Sequence, residues 1–413
     1  MSIVLAKLGI SVFCLLATAL LLFTKKSFSN WLEGKSVATT LFSGWFLLRL
    51  VPFVIIYLIA GMEPTSDVNG FWDMASKASQ GQVVYRDFWS PYSPLYSYFL
   101  AVWVKIWYSP KMVVFAMIVV DAVALILSYH FFRPFQSRGI SLFNAIIYLI
   151  LPGSLILCVI GAQEDVWMWL FVILAYLVRE RTLRTEWFAA ILAIGLLMTK
   201  AIFILIFIPL FLLEKEKIRF IIPIAIIGVV SLAILYPIVG LEFLQPLGEA
   251  QTLRAPNIPS VLNPWFFNQI GVGEKFWNWI GLAISVGLAC LAAWRLRNAD
   301  FRIMLSRVWI VLYASMMIVQ QSAYSNYIFL FLIPLVFDVI NWRNKTQVAL
   351  FFVFNLLCVV HPSFWWRLGM PCYMTPADTF ASSDLLVDYS MQVSIVFLTA
   401  YFIWLAFPRK RII

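Results

Sequence analysis

Val37–Ala60 reads VATTLFSGWFLLRLVPFVIIYLIA and is followed, at Glu63–Pro94, by EPTSDVNGFWDMASKASQGQVVYRDFWSPYSP. The first stretch carries one charge, Arg49, over a length that covers a bilayer hydrocarbon core of roughly 30 Å. The second breaks the apolar pattern with Asp67, Asp73 and Asp87 and ends on Tyr92-Ser93-Pro94. A long apolar run handing over to a polar, acidic, aromatic-rich loop decides the fold class, and the rest of the chain repeats it. The composition is 63% hydrophobic and only 12% charged, with a mean hydropathy of +0.90. Soluble domains carry about twice that share of charge, so this is an integral membrane protein. The apolar runs are long and unbroken, unlike the short alternating segments of a membrane β-barrel. A backbone in lipid must satisfy its own hydrogen bonds, so the runs are helices.

The pattern predicts an all-α, polytopic membrane helix bundle of about thirteen spans. The first eight are Ile3–Phe23, Val37–Ala60, Met112–Phe132, Ile140–Ile160, Asp165–Val178, Trp187–Thr199, Ala201–Leu213 and Ile218–Gly240. The remaining five are Trp277–Trp294, Arg307–Gln321, Ser325–Asn341, Gln347–Val360 and Ser390–Phe407. Pro94–Tyr108 is too short to cross and reads as an amphipathic helix at the interface. The whole of 1–413 reads as one transmembrane domain.

Roughly two thirds of the 30 Lys and Arg residues fall in alternate loops on one face, which the positive-inside rule assigns to the cytoplasm. The +10 formal charge is therefore a topology signal and calls for no nucleic acid. That orientation puts the N-terminus outside and the C-terminus inside. Ile3–Phe23 is too long for the core of a cleavable signal peptide. The inner loops are too short to hold a catalytic domain, whereas 61–111, 241–276 and 361–389 form longer outer loops. Aqueous chemistry is therefore expected on the non-cytoplasmic face, and short loops favour a plasma (inner) membrane. Glu33-Gly34-Lys35-Ser36 resembles the end of a phosphate-binding loop, but Ser29 stands where that motif needs glycine. An enzyme working outside, away from nucleotides, needs an activated substrate held in the membrane itself.

Asp67 lies just past a span; Gly81-Gln82-Val83-Val84-Tyr85-Arg86-Asp87-Phe88 and Tyr92-Ser93-Pro94-Leu95 follow it. That order resembles the first outer loop of the GT-C glycosyltransferases. Gln163-Glu164-Asp165 and Gly195-Leu196-Leu197-Met198-Thr199-Lys200 resemble a second acidic loop and a Thr-Lys segment of the same superfamily. The resemblance covers Asp67–Leu213 well and fades beyond it. It implies transfer of a sugar, mannose before others, from a polyprenyl-phosphate donor to a lipid or glycan acceptor. It also implies that Asp67 is the catalytic aspartate and that a Thr-Lys pair meets the donor phosphate.

Chemistry independent of the resemblance fits the same residues. Displacement of a lipid phosphate needs a base to take the acceptor's proton and positive charge to stabilise the leaving group. One carboxylate suffices for an inverting displacement. Asp67 is the expected base, with capping of the helix that follows as its structural alternative. Asp73 is the second candidate, as base or hydrogen-bonding partner. Asp87 is expected to hold the loop together against Arg86 or Lys77. Gln163, Glu164 and Asp165 are expected to position donor, acceptor or a divalent cation, against the alternative of a solvated, capped turn. Lys200 either snorkels to the interface or meets the donor phosphate, the expected role. Arg254, Tyr324 and His361 are further donor- or acceptor-binding candidates. Arg49 and Asp121, charged inside spans, are expected to form a structural pair. The sequence leaves open any need for a metal. A membrane glycan polymerase or ligase, or a lipid-linked glycan flippase, is the alternative function; a flippase should show internal repeats, and none is evident.

Overall fold

A computed structural model describes residues 3–251, 253–267 and 274–408. It is all-α. Eight helices are long and apolar enough to cross a membrane, and the pair Arg138–Ile150 and Pro152–Ile160 makes a ninth if taken as one span. The helices used below are α1 (Ile3–Phe23), α2 (Val37–Ile59), α3 (Asp67–Ser79), α4 (Pro94–Ile106), α5 (Pro110–Phe132), α6 (Arg138–Ile150), α7 (Val166–Thr182) and α8 (Thr185–Met198). They continue with α9 (Ala201–Leu213), α10 (Lys217–Val239), α11 (Glu274–Leu296), α12 (Phe301–Val319), α13 (Ser325–Val339), α14 (Lys345–Arg367) and α15 (Ser383–Ala406).

The span count is lower than the thirteen expected, and helix length is the reason. The apolar run at Trp187–Thr199 forms α8, whose 14 residues reach about 21 Å, short of a bilayer core. α9 and α13 are likewise apolar helices of 10–17 residues. α7 has 17 residues and ends on Arg179 and Arg181. Ile140–Ile160, expected as one straight span, is divided at Leu151, where Pro152 starts a new helix. The residue before a proline is pushed out of the helical region, and Leu151 takes ψ 137°.

The chain divides into two compact units. The first comprises Met1–Asn30, Ile150–Ile156 and Ala250–Ile413; the second comprises Trp31–Leu149 and Leu157–Glu249.

In the second unit, α2 is built around Pro52. Proline lacks an N–H and crowds the preceding turn, and the helix is π-wound on both sides, over Phe46–Leu50 and Val54–Ile59. Arg49, in the first wound segment, is fully buried and its Nε donates to Asp121 Oδ2 of α5 at 2.8 Å. Its Nη1 donates to the carbonyls of Leu48 and Leu149, and Tyr148 donates its hydroxyl to Asp121 Oδ1. The expected intramembrane pair therefore exists, with further bonds around it. Such a pair contributes little net stability, but neither partner can be removed alone at low cost. Gly195 lets α8 close on α7, since a Cβ there would lie 2.7 Å from Phe171 Cβ. α10 buries almost nothing and presents Ile221, Ile222, Ile226, Val229 and Val230 outward, a surface suited to lipid.

In the first unit, α12 is the most enclosed helix, with 89% of its apolar window buried. Gly281 of α11 brings it against the Val319 carbonyl, 2.7 Å from where a Cβ would stand. Trp309 of α12 donates its indole N–H to the Leu330 carbonyl of α13 at 2.8 Å. Ser325 donates to the Cys358 carbonyl of α14 at 3.1 Å.

Candidate functional site

Asp67 opens α3 from an unusual turn. Ser66 before it has φ 64° and ψ −136°, a region that side chains disfavour, and its own side chain makes no cap hydrogen bond. Asp67 is exposed. Its carboxylate makes no recorded cap bond; Oδ2 instead accepts a hydrogen bond from Gln163 Nε2 at 2.6 Å. The capping alternative is therefore not what the geometry displays. Gln163 stands 96 residues away in sequence, so the two acidic loops meet.

The second loop has a similar backbone device. Ala162 takes φ 46°, and the Gln163 N–H returns to the Leu157 carbonyl at 2.8 Å. Non-glycine residues in this region cost of the order of 1–3 kcal/mol and cluster at functional sites. Here one stands immediately before each of the two side chains that join the loops.

Glu164 and Asp165 follow, only 2% and 0% exposed. The solvated-turn alternative fails on that burial. Asp165 occupies the N-cap position of α7 but does not cap it. Both carboxylates turn to Lys200, which lies between α8 and α9: Nζ is 2.6 Å from Glu164 Oε1 and 2.6 Å from Asp165 Oδ1. Burial pushes the Glu164 carboxyl up to about 7, with the neighbouring Asp165 charge adding and Lys200 opposing. Burial also raises the Asp165 carboxyl, opposed by Lys200 and aided by the Asp67 charge. Two carboxylates around one ammonium hold a proton more firmly than either would alone.

Aromatic side chains wall this cluster. Tyr92 and Tyr96 stack at 4.3 Å with an interplanar angle of 20°, Phe71 of α3 meets both edge-on, and Trp167 of α7 packs on Tyr96 at 5.4 Å. Lys200 Nζ stands 5.7 Å from the Tyr92 ring centroid, within cation–π range. The Ser93 N–H donates to the Thr199 carbonyl at 3.0 Å, tying Tyr92-Ser93-Pro94 to the Thr-Lys segment. Burial and the nearby carboxylates raise the Tyr92 and Tyr96 hydroxyls well above the ordinary tyrosine range, so both remain protonated donors. The Tyr96 hydroxyl, the Trp167 indole N–H, Glu164 Oε2 and Asp165 Oδ2 are all buried with no hydrogen-bond partner in the protein.

The other expected residues lie elsewhere. Asp73 is exposed on α3 and pairs with Lys77 one turn on, at 2.7 Å; it does not join the cluster. Asp87 binds Arg86 at 2.9 Å and accepts from the Val83 N–H at 2.7 Å, and these bonds hold its carboxyl down to about 2. Its loop-holding role is as expected. Arg254, Tyr324 and His361 belong to the first unit. There the Arg254 guanidinium stacks on the Tyr324 ring at 4.5 Å beside a cavity of about 280 Å³, lined also by Ser260, Trp365, Tyr373 and Gln392. His361 is fully buried, its Nε2 3.3 Å from Asp388 Oδ1. Asp388 Oδ2 accepts from the Tyr373 hydroxyl at 2.8 Å and from Gln392 Nε2 at 2.7 Å.

Lys200, expected at a donor phosphate, holds its ammonium between Glu164 and Asp165, 2.6 Å from each. The sequence reading also missed Tyr92, Tyr96 and Trp167 as members of the site. Two tyrosines four residues apart, at 92 and 96 on either side of the start of α4, were the available signal. Among the described residues no group of three or more His, Cys, Asp or Glu side chains is arranged to hold a metal ion. No family model, curated protein or solved structure matches the chain.

Proposed function

We propose that the chain is a membrane glycosyltransferase of the GT-C type. It would transfer a sugar, mannose first among candidates, from a polyprenyl-phosphate donor to a lipid or glycan acceptor on the non-cytoplasmic face. The observation that carries the reading is the Gln163–Asp67 hydrogen bond. It joins an exposed carboxylate to the buried Glu164–Asp165–Lys200 cluster, two motifs far apart in the chain.

In this reading Asp67 accepts the proton of the acceptor hydroxyl as that oxygen attacks the anomeric carbon. The bond from that carbon to the phosphate oxygen breaks with inversion, and the lipid phosphate departs without needing a proton. The proton on Asp67 then passes to water. Gln163 fixes one carboxylate oxygen and leaves the other for the acceptor.

The test is transfer of labelled sugar from a panel of polyprenyl-phosphate sugars into membrane lipid, with Asp67→Asn as comparator. The amide keeps the size and the link to Gln163 but cannot take the proton. Transfer by the wild type and a loss of about a hundredfold or more in the variant are expected. Unchanged transfer would move the base elsewhere. No transfer from any donor by folded protein would end the glycosyltransferase reading.

A further inference from the structure

The charge around Asp67 does not balance. Lys77 is taken by Asp73, Arg86 by Asp87 and Lys111 by Glu63, each within 3 Å. Lys200 faces Glu164 and Asp165, with Asp67 adjoining through Gln163. Two carboxylates contact one ammonium, and a third joins them through a neutral amide. Even with one carboxyl protonated, the cluster keeps surplus negative charge.

The unpartnered buried atoms point to a ligand, and they are of two kinds. Glu164 Oε2 and Asp165 Oδ2 accept hydrogen bonds; the Tyr96 hydroxyl and the Trp167 indole N–H donate them. All four residues are at most 2% exposed, so each atom left alone costs free energy. An ammonium offers only donors, and a phosphate or carboxylate group offers only acceptors. A hydroxyl does both. The exposed Asp67 and partly exposed Tyr92 and Lys200 give this cluster its solvent side.

We propose that Glu164 and Asp165 are specificity-determining residues that admit a sugar whose ring hydroxyls are unmodified beside Asp67 and reject sugars carrying an anionic group elsewhere than at the anomeric carbon. The inference rests on the glycosyltransferase reading for the identity of the ligand, and on the charge count and the unpartnered atoms for the selection. One unit charge about 7 Å from the surplus carboxylate, in the effective dielectric near a protein surface, weakens binding by about tenfold or more. Glu164 and Asp165 thus act on which sugar binds, and Asp67 on what happens to it.

Binding separates the two claims. Saturation-transfer NMR on the protein in nanodiscs would use methyl α-mannoside and mannose 6-phosphate, with wild type, Glu164→Gln and Asp165→Asn. The neutral glycoside is expected to bind wild type about tenfold more tightly than the 6-phosphate. Either amide variant should narrow that gap severalfold by improving phosphate-sugar binding. Equal binding of the neutral and phosphorylated sugars to wild type would overturn the inference. So would no saturation transfer from either sugar, or an unchanged gap in both folded variants. Selective binding of the neutral sugar without transfer from any polyprenyl donor would leave the selection standing and remove the transferase reading. Transfer with indifference to charge would do the reverse.

Discussion

Lys200→Met should destabilise the protein in a pH-dependent way. The ammonium stands 2.6 Å from each of two carboxylates that are 2% and 0% exposed, while its own side chain is 15% exposed. Removing one member of a buried pair costs about 3–5 kcal/mol. Solvent at the exposed edge of Lys200 moves the expectation to the low end, about 3 kcal/mol above neutral pH. Glu164 titrates at about 7 when folded because burial outweighs the opposing Lys200 charge, against an ordinary value of 4.5. An acid raised on folding binds more protons folded than unfolded. Its contribution to stability therefore falls as pH rises from about 4.5 through the folded value, and then levels off. In the wild type that fall ends near 7. Without Lys200 both carboxyls are driven higher, and the fall continues past 7. The variant should consequently melt close to wild type at pH 5 and several degrees below it at pH 8. Membrane proteins commonly unfold irreversibly, so midpoints in detergent should be compared at one scan rate. Lys200→Met/Glu164→Gln should recover part of the loss at pH 8. A single variant melting within a degree of wild type at both pH values would refute the bridging role.

Two further substitutions test the packing. Gly195→Ala would place a Cβ 2.7 Å and 2.8 Å from Phe171 Cβ and Cγ and 2.9 Å from Phe203 Cε1; overpacking of this kind costs about 1–3 kcal/mol, read as a lower melting midpoint at every pH. Arg49→Met should cost about 3–5 kcal/mol by leaving the buried Asp121 without its cation, and Arg49→Met/Asp121→Leu should regain most of it in the same assay; a double variant no better than the single would count against the pairing.

The apolar class of the fold was legible from Val37–Ala60 alone, since hydrocarbon thickness and backbone satisfaction leave one kind of solution. The number of spans was not. An apolar run such as Trp187–Leu213 reads alike whether it is one crossing or two short helices, and the break after Met198 is made by Thr199 at φ −127° and ψ −121°. That conformation is stabilised by long-range bonds, including the Ser93 N–H to the Thr199 carbonyl. Pairings read from spacing fared better. Arg86 with Asp87 lies within one loop, and Arg49 with Asp121 follows from the cost of unpaired charge in lipid.

Lys200 explains why the site was only half legible. A lysine beside an apolar run is a phosphate ligand or a counter-ion according to how many carboxylates reach it, and the nearer of the two lies 35 residues back. Local sequence carries no record of that count. Asp67 differs because its role depends on exposure and on one neutral partner. Gln163 supplies a hydrogen bond without a charge, so Asp67 stays an acceptor while the buried pair beside it is neutralised. Had a lysine or arginine stood at 163, Asp67 would be salt-bridged and less able to take a proton. The neutral amide is therefore the feature that separates a carboxylate free to act from two that are held.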